Sequence, residues 1–260
     1  MDAAGWLAFL EELADGADPT ALRYFRAQDL RVEEKPNLGP VSEADLAIEE
    51  AARSLTSERH PGLGILGEEQ GETMGSGEAR LIIDPIDATR NFVRGIPIFA
   101  SLFAIEESGE VVAGLVSAPA LGTRWAAARD HGAHCGSRRL HVSGIRELST
   151  AQLFHGSLGG VEAGALPAGL THLIARTERQ RGFGDFYQHV LVAEGAGEIA
   201  IDPIVSPWDI APLVVLLEEA GGRATSLQGE RTIYAGSLVS SNGFSHEEAL
   251  RILSARSALP

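Results

Sequence analysis

An apolar strand that runs straight into Asp84-Pro85-Ile86-Asp87-Ala88-Thr89 leaves a chain few options at that point. The run ARLIID at 79–84 supplies the strand, and Pro85, with no N–H, cannot extend its hydrogen-bond ladder, so a turn is expected there. That turn can aim two carboxylates and the Ile86 carbonyl at one point, an oxygen set suited to a hard cation such as Mg²⁺. The same hexamer also fits a plain turn in which Asp84 or Asp87 bonds nearby backbone amides. Two more acidic sites favour the first reading. Gly67-Glu68-Glu69 ends another short strand, and Trp208-Asp209 lies in the first turn of a helix, where an acid also complements the helix dipole. A binuclear site needs carboxylates from separate elements around metals roughly 4 Å apart, together with an oriented water. Glu68, Asp84, Asp87 and Asp209 supply the carboxylates, and Thr89 supplies a hydroxyl for the water.

The remaining sequence reads as a scaffold of strands in runs, with helices at both ends of the runs. Residues 1–27 carry a helical stripe of Trp6, Phe9, Leu10 and Leu13, with a kink or restart expected at Asp18-Pro19. RVEEKPNLGPV at 31–41 reads as a loop. Ser42, with Asp45 three residues on, makes a capping box for a helix through Ala47, Ile48, Ala51, Ala52 and Leu55. Strand-like runs follow at 64–67, 79–84, 99–120 and 124–128, the third folded back on itself at EESGE. A helix is expected over 185–197, a strand over 198–202 and a strong helix over 206–222, capped by Ser206 and stopped by Gly221-Gly222. Pro212 sits awkwardly near the interior of that last helix. Strand, strand and helix complete the chain. This rhythm predicts an α+β layered sandwich rather than strict βαβ alternation. One compact unit is expected, with residues 1–148 carrying most of the metal motifs and 149–260 carrying the last ligand and the substrate side.

Composition removes several function classes. The 260 residues include 36 acidic and 21 basic side chains, a net charge of −15, which argues against nucleic acid as a partner. Cys135 alone excludes an internal disulfide framework and suits a cytoplasmic protein. The N-terminus has an acidic flank where a signal peptide needs a basic one, and no apolar run approaches the ~20 residues that span a bilayer.

GEE at 67–69, IIDPIDATRNF at 82–92 and SPWDIAP at 206–212 resemble, in order and spacing, the three motifs of the inositol monophosphatase superfamily. The similarity runs from about Lys35 to Asn242. Within the superfamily the chain is most similar to the bacterial histidinol-phosphate phosphatases. KPNLGPVSEAD at 35–45, NFVRGIPIFASL at 91–102, VSAPAL at 116–121 and GFGDF at 182–186 carry that likeness. The resemblance implies a dimeric, Mg²⁺-dependent phosphomonoesterase in an αβαβα layered fold, with two or three Mg²⁺ per site. By position, Glu68, Asp84 and the Ile86 carbonyl would bind one metal, and Asp84, Asp87 and Asp209 the second. Thr89, paired with Asp45, would orient the attacking water, so no phosphoenzyme forms. Backbone amides at Ala88 and Thr89 would hold phosphate oxygens, with Arg90 beside them. Arg181, Gly184, Asp185 and Asp202 are the substrate-side candidates, with Asp185 or Asp202 receiving the ammonium or imidazolium of histidinol. Arg181 as a surface cation and Asp185 as a helix cap are the structural alternatives. The family usually has glycine where Ala88 stands. If φ there is negative the methyl costs little, and if positive about 1 kcal/mol.

Other motifs carry less. Gly62–Gly67 matches G-x-G-x-x-G but lacks the strand before and helix after that a dinucleotide site needs. His131, His134 and Cys135 lack a second clean ligand pair for zinc and read as part of a hairpin. Ser157 and Ser206 lack a nucleophile-elbow context. The rival readings keep the chemistry on an inositol phosphate, another sugar phosphate or a 3′-phosphonucleotide, or make the chain a weakened member acting as a regulatory binding protein.

Overall fold

The computed structural model describes residues 1–35, 39–159 and 164–255. Helix α1 (Ala3–Tyr24), capped by Asp2, buries Trp6, Phe9, Leu10, Leu13, Ala14, Ala17 and Ala21 along one side. The restart expected at Pro19 does not occur: α1 runs through it. Asp18, next to the proline, is tied to the Ser117 hydroxyl and to Arg124, and the buried stripe continues past it, so packing outweighs the one lost backbone bond. The segment expected as a loop at 31–41 forms strands β1 (Val32–Lys35) and β2 (Gly39–Ser42), paired antiparallel with Val32 opposite Ser42. Pro36, Asn37 and Leu38 of the KPNLGPVSEAD motif lie outside the described residues. Helix α2 (Glu43–Arg59) opens with the expected capping box, Ser42 to Asp45.

Eight strands then build the first sheet. They are β3 (Gly64–Gly67), β4 (Gly71–Thr73), β5 (Ala79–Asp87), β6 (Ala100–Glu107), β7 (Glu110–Ala118), β8 (Thr123–Ala128), β9 (Gly132–Cys135) and β10 (Arg138–Arg139). Their spatial order is β10-β9-β8-β7-β6-β5-β3-β4; β3 and β5 run parallel and the other pairs antiparallel. The short helix α3 (Thr89–Val93) follows β5. A second sheet of five strands uses β11 (Gln152–His155), β12 (Arg179–Gly182), β13 (Ile199–Asp202), β14 (Arg223–Thr225) and β15 (Leu238–Ser241) in the order β12-β11-β13-β15-β14. Helices α4 (Leu170–Arg176), α5 (Asp185–Ala193), α6 (Pro207–Glu219) and α7 (His246–Ser254) complete the chain.

The apolar cores show the layering. Residues of α1 and α2 pack with Leu81, Ile83, Phe103 and Leu115 on one face of the first sheet. On its other face Ile82, Leu102, Ala104 and Val116 pack with α5 and α6, which also meet the second sheet. Leu170 and Leu173 of α4 and Ala249, Ile252 and Leu253 of α7 cover the far face of that sheet with Ile199, Ile201 and Val239. The result is α/β/α/β/α, the layered α+β fold expected. Helix α6 is pressed hard onto the first sheet: a Cβ on Gly114 would lie 2.7 Å from the Pro212 Cα, so only glycine fits beneath that proline. No helix of the described residues is long and apolar enough to cross a membrane.

Candidate active site

The strand that was expected to end at Asp84 continues to Asp87 through a bulge. Asp84 faces Leu102 of β6, while Asp87, three residues on, faces Ala100, only two residues back. In a regular strand, residues three apart point to opposite faces, and one extra residue brings them to the same face. The Ser101 hydroxyl donates to the Pro85 carbonyl at 2.7 Å and fixes the bulge. The proline therefore re-aims the second aspartate rather than ending the ladder.

Helix α6 brings Asp209 to the same place. Its Oδ2 accepts the Ser206 amide at 2.7 Å, so it caps the helix and faces the β5 carboxylates at once. One carboxylate oxygen from each of Asp84, Asp87 and Asp209 lies within 4.8 Å of the others. Burial, then the charges of Glu68, Asp87, Asp209 and Asp45, hold the Asp84 carboxyl well above the usual carboxylate range. Burial, then Asp185 and Asp209, do the same to Asp87, against the opposing effect of an amide bond from Phe186. Burial also raises Asp209 to about 6. A buried oxygen of Asp84 has no hydrogen-bond partner among the described residues. Buried, mutually repelling carboxylates with an orphaned oxygen fit a hard divalent cation as a donor set. His131, His134 and Cys135 do not form a comparable group among the described residues.

Around this cluster the structure places the other candidates unevenly. Glu68, at the end of β3, is half-buried and close enough to raise Asp84, but its carboxylate is outside the tight group of three. The Thr89 hydroxyl donates to the Ile86 carbonyl at 2.9 Å. It is not paired with Asp45 as expected: Asp45 Oδ2 accepts both the amide and the hydroxyl of Ser42, at 2.8 and 2.6 Å, because the capping box claims it. Its other oxygen is buried without a partner among the described residues, and burial lifts its carboxyl to about 6. Ala88 stands at φ 65°, ψ 44°, the left-handed conformation that disfavours a Cβ, and α3 starts immediately after it. Arg90 is exposed on α3.

A cavity of about 300 Å³ opens beside Asp87 and Asp209, lined also by Gly184, Asp185, His189 and Asp202. Gly184, at φ 75°, turns the chain into α5 so that Asp185 and the Phe186 amide face the cluster; Asp185 is the first residue of the helix and Gly184 its cap. Arg181 is not among the lining residues; it is exposed and its guanidinium donates to the Gln180 carbonyl at 2.7 Å. No lysine or arginine lines the cavity among the described residues. His189 is a lining residue that the sequence motifs do not single out. It lies four residues after Asp185 on a segment already read as helical, and that i, i+4 spacing puts both on one face.

A family model described as the inositol monophosphatase family matches residues 2–258. A histidinol-phosphatase of Streptomyces coelicolor is 44% identical, covering 94% of this chain and 95% of that protein. A histidinol-phosphatase of Mycobacterium tuberculosis is 46% identical, again covering 94% and 95%. Among solved structures, the extragenic suppressor protein suhB of Bartonella henselae superposes with a TM-score of 0.89 at 29% identity, covering 96% of this chain and 98% of that one.

Proposed function

The chain belongs to the inositol monophosphatase family, and from that premise we propose that it is a Mg²⁺-dependent phosphatase that hydrolyses L-histidinol phosphate in histidine biosynthesis. The observation that carries the substrate is the charge of the cavity. Beyond the cluster of Asp84, Asp87 and Asp209 it presents two further carboxylates, Asp185 and Asp202, and no lysine or arginine among its described lining. A leaving group that is itself cationic suits such a wall, because opposite charges within a few ångströms stabilise each other. A neutral polyol gains far less from it.

Glu68, Asp84, the Ile86 carbonyl, Asp87 and Asp209 are the residues that would hold the metal. When bound, divalent cations neutralise the dianionic ester and lower the pKa of a water. The protein does the rest by position. The Thr89 hydroxyl commits its proton to the Ile86 carbonyl, which leaves its lone pairs to accept a hydrogen bond from a water beside the cluster. The amides of Thr89 and Arg90, which open α3, donate to no backbone carbonyl among the described residues and are open to phosphate oxygens. Asp185 and Asp202 orient the leaving alcohol through its charge. Arg90 and Arg181 are exposed and do not line the cavity. A homodimer, as the family resemblance implies, in the cytoplasm, which the lone Cys135 suits, completes the proposal.

Phosphate release with and without Mg²⁺, on histidinol phosphate, inositol 1-phosphate and a 3′-phosphonucleotide, tests it. Mg²⁺-dependent preference for histidinol phosphate supports the reading. Preference for either other ester keeps the chemistry and overturns the substrate. Absence of turnover on all three would move the chain to the weakened, binding-protein reading.

A further inference from the structure

In the wall of the cavity, three elements meet at one imidazole. His189, buried on α5, holds Asp202 Oδ2 at the end of β13 through Nε2 at 2.8 Å. Its Nδ1 lies 2.6 Å from the hydroxyl of Ser240, buried on β15. A carboxylate oxygen only accepts, so Nε2 carries the proton and donates to Asp202, which leaves Nδ1 for Ser240. The other oxygen of Asp202 takes no hydrogen bond from any described residue. The carboxylate is thus gripped on one side and presented on the other.

That grip opposes a local cost. Asp202 shares the cavity with Asp87 and Asp209 and repels both. Without a donor behind it, a carboxylate in that company would turn away or be held less firmly, since like charges at close range disfavour each other. We infer that His189, braced by Ser240, is a positioning residue that fixes Asp202 toward the leaving group and so sets the preference for a cationic phosphate ester. The inference rests on the reading of the cavity as the seat of a cationic leaving group. A buried donor to a charged acceptor strengthens it and narrows its orientation, and loss of such a bond is worth on the order of tenfold or more.

The test compares kcat/KM for histidinol phosphate and for inositol 1-phosphate in His189→Leu, His189→Gln and Ser240→Ala, each with a thermal melt and metal-saturated enzyme. In His189→Leu we expect histidinol phosphate to lose about tenfold more than inositol 1-phosphate, chiefly through KM. His189→Gln, which keeps a donor, recovers most of the difference, and Ser240→Ala shows a smaller shift of the same sign. Equal losses on the two esters, or no rescue by glutamine, would reduce His189 to a packing residue and overturn the inference. If His189→Leu does not fold, the ratio in Ser240→Ala decides, an unchanged ratio sinking the idea. A wild-type enzyme that shows no preference for histidinol phosphate would instead refute the substrate reading itself, and is seen before any variant is made.

Discussion

Oδ2 of Asp87 accepts the backbone amide of Phe186 at 2.8 Å, joining residues 99 apart in the chain. Asp87 reaches this point because the β5 bulge turns it beside Asp84, and Phe186 because Gly184 turns the chain into α5. The same carboxylate therefore belongs to the acidic cluster and latches the cavity-lining helix to the first sheet. Metal binding and cavity shape are coupled at one side chain.

Replacing Asp87 with asparagine separates these two roles. The amide oxygen still accepts from Phe186, but the negative charge is gone. Turnover should fall at least ~100-fold, since charge at the metal site is what the chemistry needs. The metal-free melting temperature should hold or rise, because a buried repulsion is relieved. Near-wild-type phosphate release would remove Asp87 from the metal set. A collapse of the melt would mean the latch depends on the charge.

Ala88 tests the strain in the adjacent turn. At φ 65° its methyl carries about 1–2 kcal/mol, partly offset in glycine by the greater freedom of the unfolded chain. Ala88→Gly should therefore raise unfolding free energy by ~0.5–1 kcal/mol in urea, with activity kept or increased. A loss of activity would show that the methyl helps fix the amides that open α3.

Much of this site was legible because its motifs are local. The capping box at Ser42, the helix start at Ser206, the EESGE hairpin and the acidic positions follow from short-range rules, and the structure forms them where the sequence predicts. What was not legible depends on partners distant in sequence. Pro85 reads as a strand terminator in isolation, yet with β6 alongside it becomes a bulge. Pro19 reads as a break, yet the buried face of α1 holds the helix through it. Asp45 and Thr89 both read as candidates for one dyad, but local capping and a local carbonyl claim them separately. His189 acquires meaning only when β13 and β15 place Asp202 and Ser240 on its two nitrogens.

Acid should stabilise the metal-free protein. Asp45 and Asp209 stand at about 6 in the fold, and Asp84 and Asp87 are also raised, all chiefly by burial. A carboxyl raised above its unfolded value of ~3.9 binds protons more tightly in the native state. Its contribution is full below ~4 and is lost as pH climbs through about 6. Stripped of metal, the protein should melt ~4 °C or more higher at pH 5.5 than at pH 7.5. Saturating Mg²⁺ should flatten or reverse that slope, because the cation stabilises the ionised forms. A metal-free melting temperature that falls with acid over this range would contradict the repulsion assigned to the cluster.

Glu49 sets the last prediction. Buried on α2, it accepts Arg53 Nε and the Glu69 amide, each at 2.8 Å, and the Gln70 amide at 3.1 Å, while Arg53 donates to the Gly71 carbonyl at 2.6 Å. This ion pair braces the turn that begins with Glu68, one residue before the held amides. A cation that uses Glu68 therefore depends on Glu49 without touching it. Glu49→Gln should cost ~2–3 kcal/mol of stability, as breaking a buried, hydrogen-bonded pair does. It should also raise the Mg²⁺ concentration for half-maximal phosphate release about tenfold, the size of effect that outer-layer partners have on metal affinity. Urea unfolding and a Mg²⁺ titration read the two effects separately. Lost stability with an unchanged Mg²⁺ requirement would show that Glu68 is held by other contacts, or that the metal does not use it.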